Sequence, residues 1–166
     1  MEVLSESIII QPYASKYQQQ VVDLILHIQQ QEYQIPITEK DQPDLFEIES
    51  FYQQGNGNFW VAVCDEKVVG SVALIDIGSR QVALRKMFVA KPYRGANFKT
   101  AHRLLHTAIS WVKEQEVERI YLGTTLQYKA AHRFYEKNGF QHIEKEKLPK
   151  NFPVMNVDKK FYTYKV

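Results

Sequence analysis

Apolar residues recur with two different periods along the chain, and these periods predict an alternation of strands and helices. Residues 7–13 (SIIIQPY) indicate a first strand. From residue 15 to about residue 33, apolar positions fall three or four apart with glutamines between them, which is typical of an amphipathic helix. The stretch 43–54 predicts a second helix, with proline in its first turn and a glycine after its end.

Three strand-like runs follow, at residues 59–64, 67–77 and 81–89. The two-residue polar spacers between them predict an antiparallel meander. A long amphipathic helix is expected at residues 98–115 and a short strand at 118–124. Because a strand, a long helix and a strand form a crossover unit, the two strands should lie parallel to each other.

A second crossover predicts a helix over 127–137, which Asn138 and Gly139 stop, and a strand over 140–146. A proline-containing loop, 148–158, leads to a final strand at 160–166. The fold class is therefore α/β, with a mixed central sheet that begins as an antiparallel meander and contains a parallel pair at its fourth and fifth strands. Ligands favour the carboxyl ends of parallel strands, so the expected site lies where the fourth strand meets the long helix.

Length and composition predict one globular domain spanning residues 1–166. The net charge of +2 is too small to favour nucleic acid as the main partner. No run approaches the length of about 18 apolar residues that indicates a membrane span. The first residues carry acids where a signal peptide carries bases, so a cytoplasmic protein without a membrane partner is expected.

Positive charge is concentrated locally, because no acid interrupts residues 77–113. The bases of this run are Arg80, Arg85, Lys86, Lys91, Arg94, Lys99, Arg103 and Lys113. A helix N-terminus preceded by glycine is a ready anion site, and Arg94, Gly95 and Lys99 stand there. A solvated helix face beside a tight turn would give the same pattern.

Three segments together resemble the GNAT family of N-acetyltransferases. They are 87–95 (MFVAKPYRG), 121–125 (YLGTT) and 131–140 (AHRFYEKNGF), and the last is the most specific. The order of predicted elements agrees with the family from residue 7 to residue 166. The resemblance implies helices on both faces of the sheet, and acetyl-coenzyme A as co-substrate in a splay between the fourth and fifth strands.

The resemblance also implies roles for individual residues. Backbone groups of the fourth strand would bind the pantetheine arm, and the loop over 94–102 would surround the pyrophosphate. The cofactor-binding residues implied are Met87, Phe88, Val89, Arg94, Gly95, Ala96, Asn97, Lys99, Thr100, Ala101, His102 and Phe134. Tyr135 would stand near the thioester sulfur as the general acid, with Tyr128 or Tyr121 as substitutes. Without the resemblance, Tyr135 would be assigned to core packing.

Two positions depart from the family pattern. The family loop is rich in glycine, whereas here Lys99 and Ala101 stand where glycines are common, and Leu104 follows about two residues late. Tyr128 stands where an asparagine often opens the following helix. The side chain of Lys99 must therefore point away from the pyrophosphate or bind it.

The proton acceptor for the attacking amine is not evident. No glutamate lies on the strand 81–89, so Glu32, Asp76 or a chain of waters could serve, although each acid is equally a surface group. An acidic lip near the acceptor site would favour a cationic amine, if it is not simply solvated. Its members are Glu32, Glu39, Asp41, Asp44, Glu47 and Glu49. The loop 148–158 is a candidate for another wall of that site.

His102 and His106 lie four residues apart on one helix face, but no third metal ligand is evident, so no metal is predicted. Cys64, the single cysteine, falls in an apolar strand and is expected in the core, which leaves direct attack of the amine on the thioester.

The prediction is thus an acetyl-coenzyme A-dependent N-acetyltransferase acting on a small-molecule or peptide amine. The alternatives are a non-catalytic acyl-coenzyme A sensor on the same fold and an interaction protein that uses the basic helix. The acceptor and a homodimer are left open.

Overall fold

The computed structural model describes residues 7–95 and 98–166, and within them seven strands form one mixed sheet. The strands are β1 (Ile8–Pro12), β2 (Asn58–Cys64), β3 (Lys67–Gly78), β4 (Gln81–Val89), β5 (Arg119–Thr124), β6 (Gln141–Ile143) and β7 (Lys160–Lys165). Their order in the sheet is β1-β2-β3-β4-β5-β7-β6. The helices are α1 (Gln18–Leu26), α2 (Ile48–Phe51), α3 (Thr100–Glu114) and α4 (Lys129–Lys137). The expected α/β fold class is confirmed.

The sheet is covered on both faces, as the side chains of β2 show. Trp60, Ala62 and Cys64 pack in the cluster that contains the apolar side of α3, including Leu104. The alternate residues of β2 pack in a second cluster, together with α1 and α2. Because successive side chains of a strand point to opposite faces, this division explains why β2 is apolar along almost its whole length. The core position predicted for Cys64 is confirmed.

The parallel pair β4–β5 separates part of the way along. Three residue pairs join the strands, ending at Ala83 and Tyr121, although β4 continues to Val89 and β5 to Thr124. Over its full length β5 pairs instead with β7 on its other side. The carboxyl end of β4 therefore has an edge without a strand partner on the β5 side, which confirms the expected splay.

A β-bulge interrupts β4 beside this edge. Arg85 is opposite Ala73 in β3, but Phe88 is opposite Ser71, so β4 holds one residue more than β3 over this interval. Lys86 adopts a left-handed backbone (φ 55°), and its carbonyl accepts a hydrogen bond from the Ser71 hydroxyl (2.6 Å). Bulges re-aim the side chains that follow them and are common beside functional sites.

Three predicted elements differ in detail from the structure. The first predicted helix begins as a 3-10 turn and ends as a π-helix, His27–Glu32. The second is divided into a 3-10 turn, Pro43–Phe46, and the short α2, because Glu47 between them is not helical. The strand predicted over 140–146 ends at Ile143, where an exposed, charged 3-10 turn follows.

Candidate active site

A cavity of about 320 Å³ opens at the separation of β4 from β5. Its walls come from the carboxyl ends of both strands, the start of α3, the inner side of α4, the segment that follows α1, and the loop before β7. The volume lies in the range of small-molecule sites, and its position is the one predicted from the parallel strands. Several chain segments that are distant in sequence therefore meet at this one place.

The β4 residues expected to bind the pantetheine arm all line this cavity. Met87, Phe88 and Val89 are at the strand edge that β5 has left. Backbone N–H and C=O groups at an unpaired edge are available to an extended ligand that carries amides. The carbonyl of Val89 already accepts a hydrogen bond from Arg94 Nε (2.8 Å).

The start of α3, beside the same cavity, has backbone N–H groups without an acceptor inside the helix. Its first helical hydrogen bond runs from Arg103 N to Lys99 O (2.9 Å), so the N–H groups of the three residues between them have no acceptor in the helix. No side chain of the described residues caps this end, and Ala101 lines the cavity. The Thr100 hydroxyl instead donates to the Tyr93 carbonyl (3.0 Å). The helix end therefore has the electrostatic character of an anion site.

The turn before α3 relies on two left-handed residues. Gly95 has φ 103°, and a Cβ there would meet no atom within 4 Å, so backbone conformation rather than space favours glycine. Lys99 has φ 52°, and this left-handed backbone explains why glycine suits the position. The side chain of Lys99 is exposed. His102 is also exposed. The expected cofactor residues Ala96 and Asn97 lie outside the described residues.

Arg94 does not extend into open space. Its guanidinium binds both carboxylate oxygens of Glu32, at 2.8 and 2.9 Å, in addition to the carbonyl of Val89. The pair joins the end of the first helical segment to the turn before α3. In this arrangement Glu32 is already engaged, and it does not line the cavity.

Two of the three candidate tyrosines line the cavity. Tyr135 is buried on α4, and burial, with smaller contributions from Tyr128 and Tyr162, raises its pKa well above the ordinary value. Tyr128 also lines the cavity, with its ring 4.8 Å from that of Tyr33, and burial raises its pKa as well. Tyr121 packs instead in the separate apolar cluster around Phe152 and Phe161. Tyr135 and Tyr128 are therefore protonated donors at neutral pH.

Of the remaining expected residues, Phe134 lines the cavity beside Tyr135, whereas Asp76 does not. The Asp76 carboxylate accepts the N–H groups of Asn56 (3.0 Å) and Gly78 (2.8 Å), which is a turn-stabilising arrangement. The rings of His102 and His106 stack 6.5 Å apart. Within residues 7–95 and 98–166, no three side chains of His, Cys, Asp or Glu group closely enough to hold a metal ion.

The six acids of the expected lip do not form one cluster at the cavity, and none of them lines it. Glu32 is paired with Arg94, and Asp44 is buried, where it accepts the Tyr52 hydroxyl (2.5 Å). The other four are exposed. The loop 148–158 does form a wall, as expected, since five of its residues from Phe152 to Asp158 line the cavity.

Three charged residues of the cavity had no site role in the sequence prediction: Arg85, Lys86 and Asp158. Lys86 Nζ is buried 3.6 Å from the Asp44 carboxylate and 2.5 Å from the Gln42 amide oxygen. Burial lowers the pKa of Lys86 to about 8, against a smaller opposing contribution from Asp44.

Asp158 reaches the cavity because β5 holds a glycine beside it. A Cβ at Gly123 would lie 2.7 Å from the Asp158 carboxylate and 2.9 Å from the Phe161 ring. The carboxylate accepts the Met155 N–H (3.1 Å), and burial raises the pKa of Asp158 above its ordinary value. A glycine inside a short strand was the signal in the sequence that something approaches closely there.

The mixed sheet, with its separation of β4 from β5, is the fold of the GNAT class. The model of the acetyltransferase (GNAT) family matches residues 22–140, and the chain belongs to this family. A GNAT-family acetyltransferase from Staphylococcus aureus Mu50 is similar at 40% identity, with a TM-score of 0.92 over 95% of this chain and 98% of that one. The PaiA N-acetyltransferase of Thermoplasma acidophilum, solved in complex with coenzyme A, shares the fold at 17% identity and a TM-score of 0.72, over 96% and 99% of the two chains.

Among curated proteins, an N-acetylaspartate synthetase of Xenopus tropicalis is 38% identical over 104 residues. These residues make up 60% of this chain and 37% of that protein, so the chain spans little more than a third of that relative's length. In the described part of the chain, no helix combines the length and apolar character needed to cross a membrane.

Proposed function

We propose that the protein transfers the acetyl group of acetyl-coenzyme A to a primary amine. The observation that carries the proposal is the continuity of one cavity from the unpaired edge of β4 to the start of α3, which no side chain of residues 7–95 and 98–166 caps. An edge suits the pantetheine amides, and a helix start suits the pyrophosphate. The same cofactor is supported by the coenzyme A complex of PaiA and by a relative that is named N-acetylaspartate synthetase.

The cofactor-binding residues proposed are those expected from the sequence, with one refinement. Met87, Phe88 and Val89 would bind the pantetheine arm through backbone groups. Gly95, Lys99 and the first turn of α3 as far as His102 would hold the pyrophosphate. Arg94 would act by fixing this turn, since its guanidinium is already bound to Glu32 and to the Val89 carbonyl.

The reaction proposed is direct attack. The amine nitrogen forms a bond to the thioester carbonyl carbon and the C–S bond breaks. The amine loses its proton to water, since neither Glu32 nor Asp76 lines the cavity. The N–H of Phe88 or Val89 would stabilise the developing oxyanion. Tyr135 would protonate the departing thiolate, for which a hydroxyl that stays protonated at neutral pH is suited. The only cysteine of the chain, Cys64, is buried in the core, away from an acyl-enzyme role.

Thiol release from acetyl-coenzyme A across a panel of amines tests this function. Tyr135→Phe is expected to lower turnover by about 10²-fold or more, while the affinity for acetyl-coenzyme A stays within about threefold. Tyr121→Phe, which changes a tyrosine outside the cavity, is the matched control and should leave turnover unchanged. A loss in Tyr128→Phe rather than in Tyr135→Phe would transfer the role of acid to Tyr128.

Cofactor binding without thiol release from any amine would favour the alternative of an acyl-coenzyme A sensor. A cytoplasmic location and a homodimer stay predictions, to be checked by cell fractionation and by light scattering.

A further inference from the structure

Arg85 differs from the other two cations of the cavity in the partners it has. Lys86 is paired with Asp44, and Arg94 is paired with Glu32. Among residues 7–95 and 98–166, Arg85 forms no ion pair with a carboxylate. Burial raises the pKa of Asp158 and the positive charge of Arg85 opposes this rise, so the two groups interact electrostatically although they form no direct ion pair. A guanidinium in a cavity that is not bound directly to a carboxylate is available to an anionic group of a ligand.

The guanidinium of Arg85 is nevertheless held in a defined position. Its Nη2 lies 2.9 Å from the Met155 sulfur, and its centre is 5.9 Å from the ring centroids of both Phe51 and Tyr52. These contacts orient a planar group and leave other N–H donors free, because a guanidinium has five. An oriented fork of donors matches the two oxygens of a carboxylate.

The cavity also contains one carboxylate, that of Asp158, which likewise forms no ion pair in the described part of the chain. Arg85 and Asp158 thus face one cavity with opposite charges that attract each other without forming a direct ion pair. Asp158 comes from the loop before β7, whereas Arg85 is on β4 next to the bulge. Two separated, opposite charges complement a small molecule that itself carries both signs.

We propose that the acceptor is a small amine that also bears a carboxylate, such as a free amino acid. Its carboxylate would bind Arg85, and its amino group would lie on the side of Asp158, between Arg85 and the β4 edge. This inference rests on the proposed acetyl transfer and specifies its substrate class. It also differs from the cationic acceptor that an acidic lip would favour, because the acids of that lip do not line the cavity.

The test compares free L-amino acids with their α-amides, which keep the amine and lose the carboxylate charge. Acidic amino acids and their side-chain amides form a second matched set, and spermidine and a lysine-containing peptide represent cationic acceptors. Each is titrated by calorimetry into the full-length protein saturated with coenzyme A. The wild type is expected to bind at least one carboxylate-bearing amine about 10- to 100-fold more tightly than its amide.

Variants then assign the preference to the residue. Arg85→Gln should remove the difference between acid and amide, and Arg85→Lys should retain part of it. Arg80→Gln is the control, since Arg80 is an exposed cation paired with Glu118 outside the cavity. Equal binding of acids and amides by the wild type would overturn the proposal, as would a preference for spermidine or the peptide. An unchanged preference in Arg85→Gln would overturn the role of Arg85.

Thiol release is measured in parallel, so that a failure of the proposed substrate class can be distinguished from a failure of the proposed acetyl transfer. Selective binding of the carboxylate-bearing amine without thiol release would contradict acetyl transfer and leave the charge recognition standing. Thiol release with amides, spermidine or the peptide, at rates equal to those with the acids, would support acetyl transfer and overturn the substrate class.

Discussion

Arg94 and Glu32 form a bidentate ion pair, with nitrogen–oxygen distances of 2.8 and 2.9 Å. Glu32 is the last residue of the π-helix that follows α1, and Arg94 lies in the turn between β4 and α3. The pair therefore joins the segment that follows α1, which lines the cavity, to the turn that would hold the cofactor's pyrophosphate. Because the side chains are only partly exposed, this contact is stronger than an ordinary surface ion pair.

Glu32→Gln is expected to lower the free energy of unfolding by about 1 kcal/mol, because one charge of a partly buried pair is lost. The shape of the pH profile of turnover should stay unchanged, since Glu32 is bound to Arg94 and does not line the cavity. Urea unfolding and the pH dependence of kcat measure the two effects. Glu114→Gln, an exposed change on α3, is the control, and loss of an acidic limb in Glu32→Gln would make Glu32 the base after all.

Because Lys99 has a left-handed backbone, substitution by glycine and substitution by valine should affect the free energy of unfolding differently. Lys99→Gly should keep the unfolding free energy within about 1 kcal/mol and the affinity for acetyl-coenzyme A within about threefold, because glycine adopts this conformation freely. Lys99→Val should lower the unfolding free energy by about 1–2 kcal/mol. Thermal unfolding and calorimetry distinguish the two. A large loss of affinity in Lys99→Gly would mean that the side chain binds a phosphate.

Lys86 predicts a pH dependence of stability. Burial lowers its pKa from the ordinary value of 10.5 to about 8 in the folded protein, so between these pH values the unfolded chain binds more protons than the folded one. The contribution of Lys86 to stability therefore rises with pH across this window.

The difference in unfolding free energy between the wild type and Lys86→Met should accordingly move in favour of the wild type from pH 7 to pH 10. Urea unfolding at several pH values measures it. The exposed Lys40→Met provides the control and should differ from the wild type by a constant amount. A pH-independent difference for Lys86→Met would show that the amine is not desolvated as its burial implies.

Much of the fold could be predicted from the sequence because each element has a local signal. The amphipathic pattern of α3, the spacers of the meander and the Asn138–Gly139 stop all act within a few residues. The separation of β4 from β5 was also predicted, from the resemblance to the family. The division of the second predicted helix could not be predicted, because it depends on tertiary contacts. Asp44 is buried, where it contacts Tyr52 and Lys86.

The charged part of the site could not be predicted because the bulge breaks the alternation of β4. Val82 and Leu84 face the cluster that contains α3, and strict alternation would place Val89 on the opposite face, yet Val89 belongs to the same cluster. The extra residue is Lys86, and only a register with β3 reveals it. From the sequence, Arg85 and Lys86 were therefore assigned to a basic run and not to the cavity that they line.

The proposed function requires that the cavity between β4 and β5 bind acetyl-coenzyme A. A calorimetric titration with acetyl-coenzyme A, coenzyme A and 3′-dephospho-coenzyme A tests it most directly, because it requires no knowledge of the acceptor. We expect dissociation constants on the order of micromolar for acetyl-coenzyme A and coenzyme A, with weaker binding of the dephospho form if the basic turn contacts the 3′-phosphate. Absence of binding by all three compounds would contradict the account, and the fold would then be shared with the family without its cofactor.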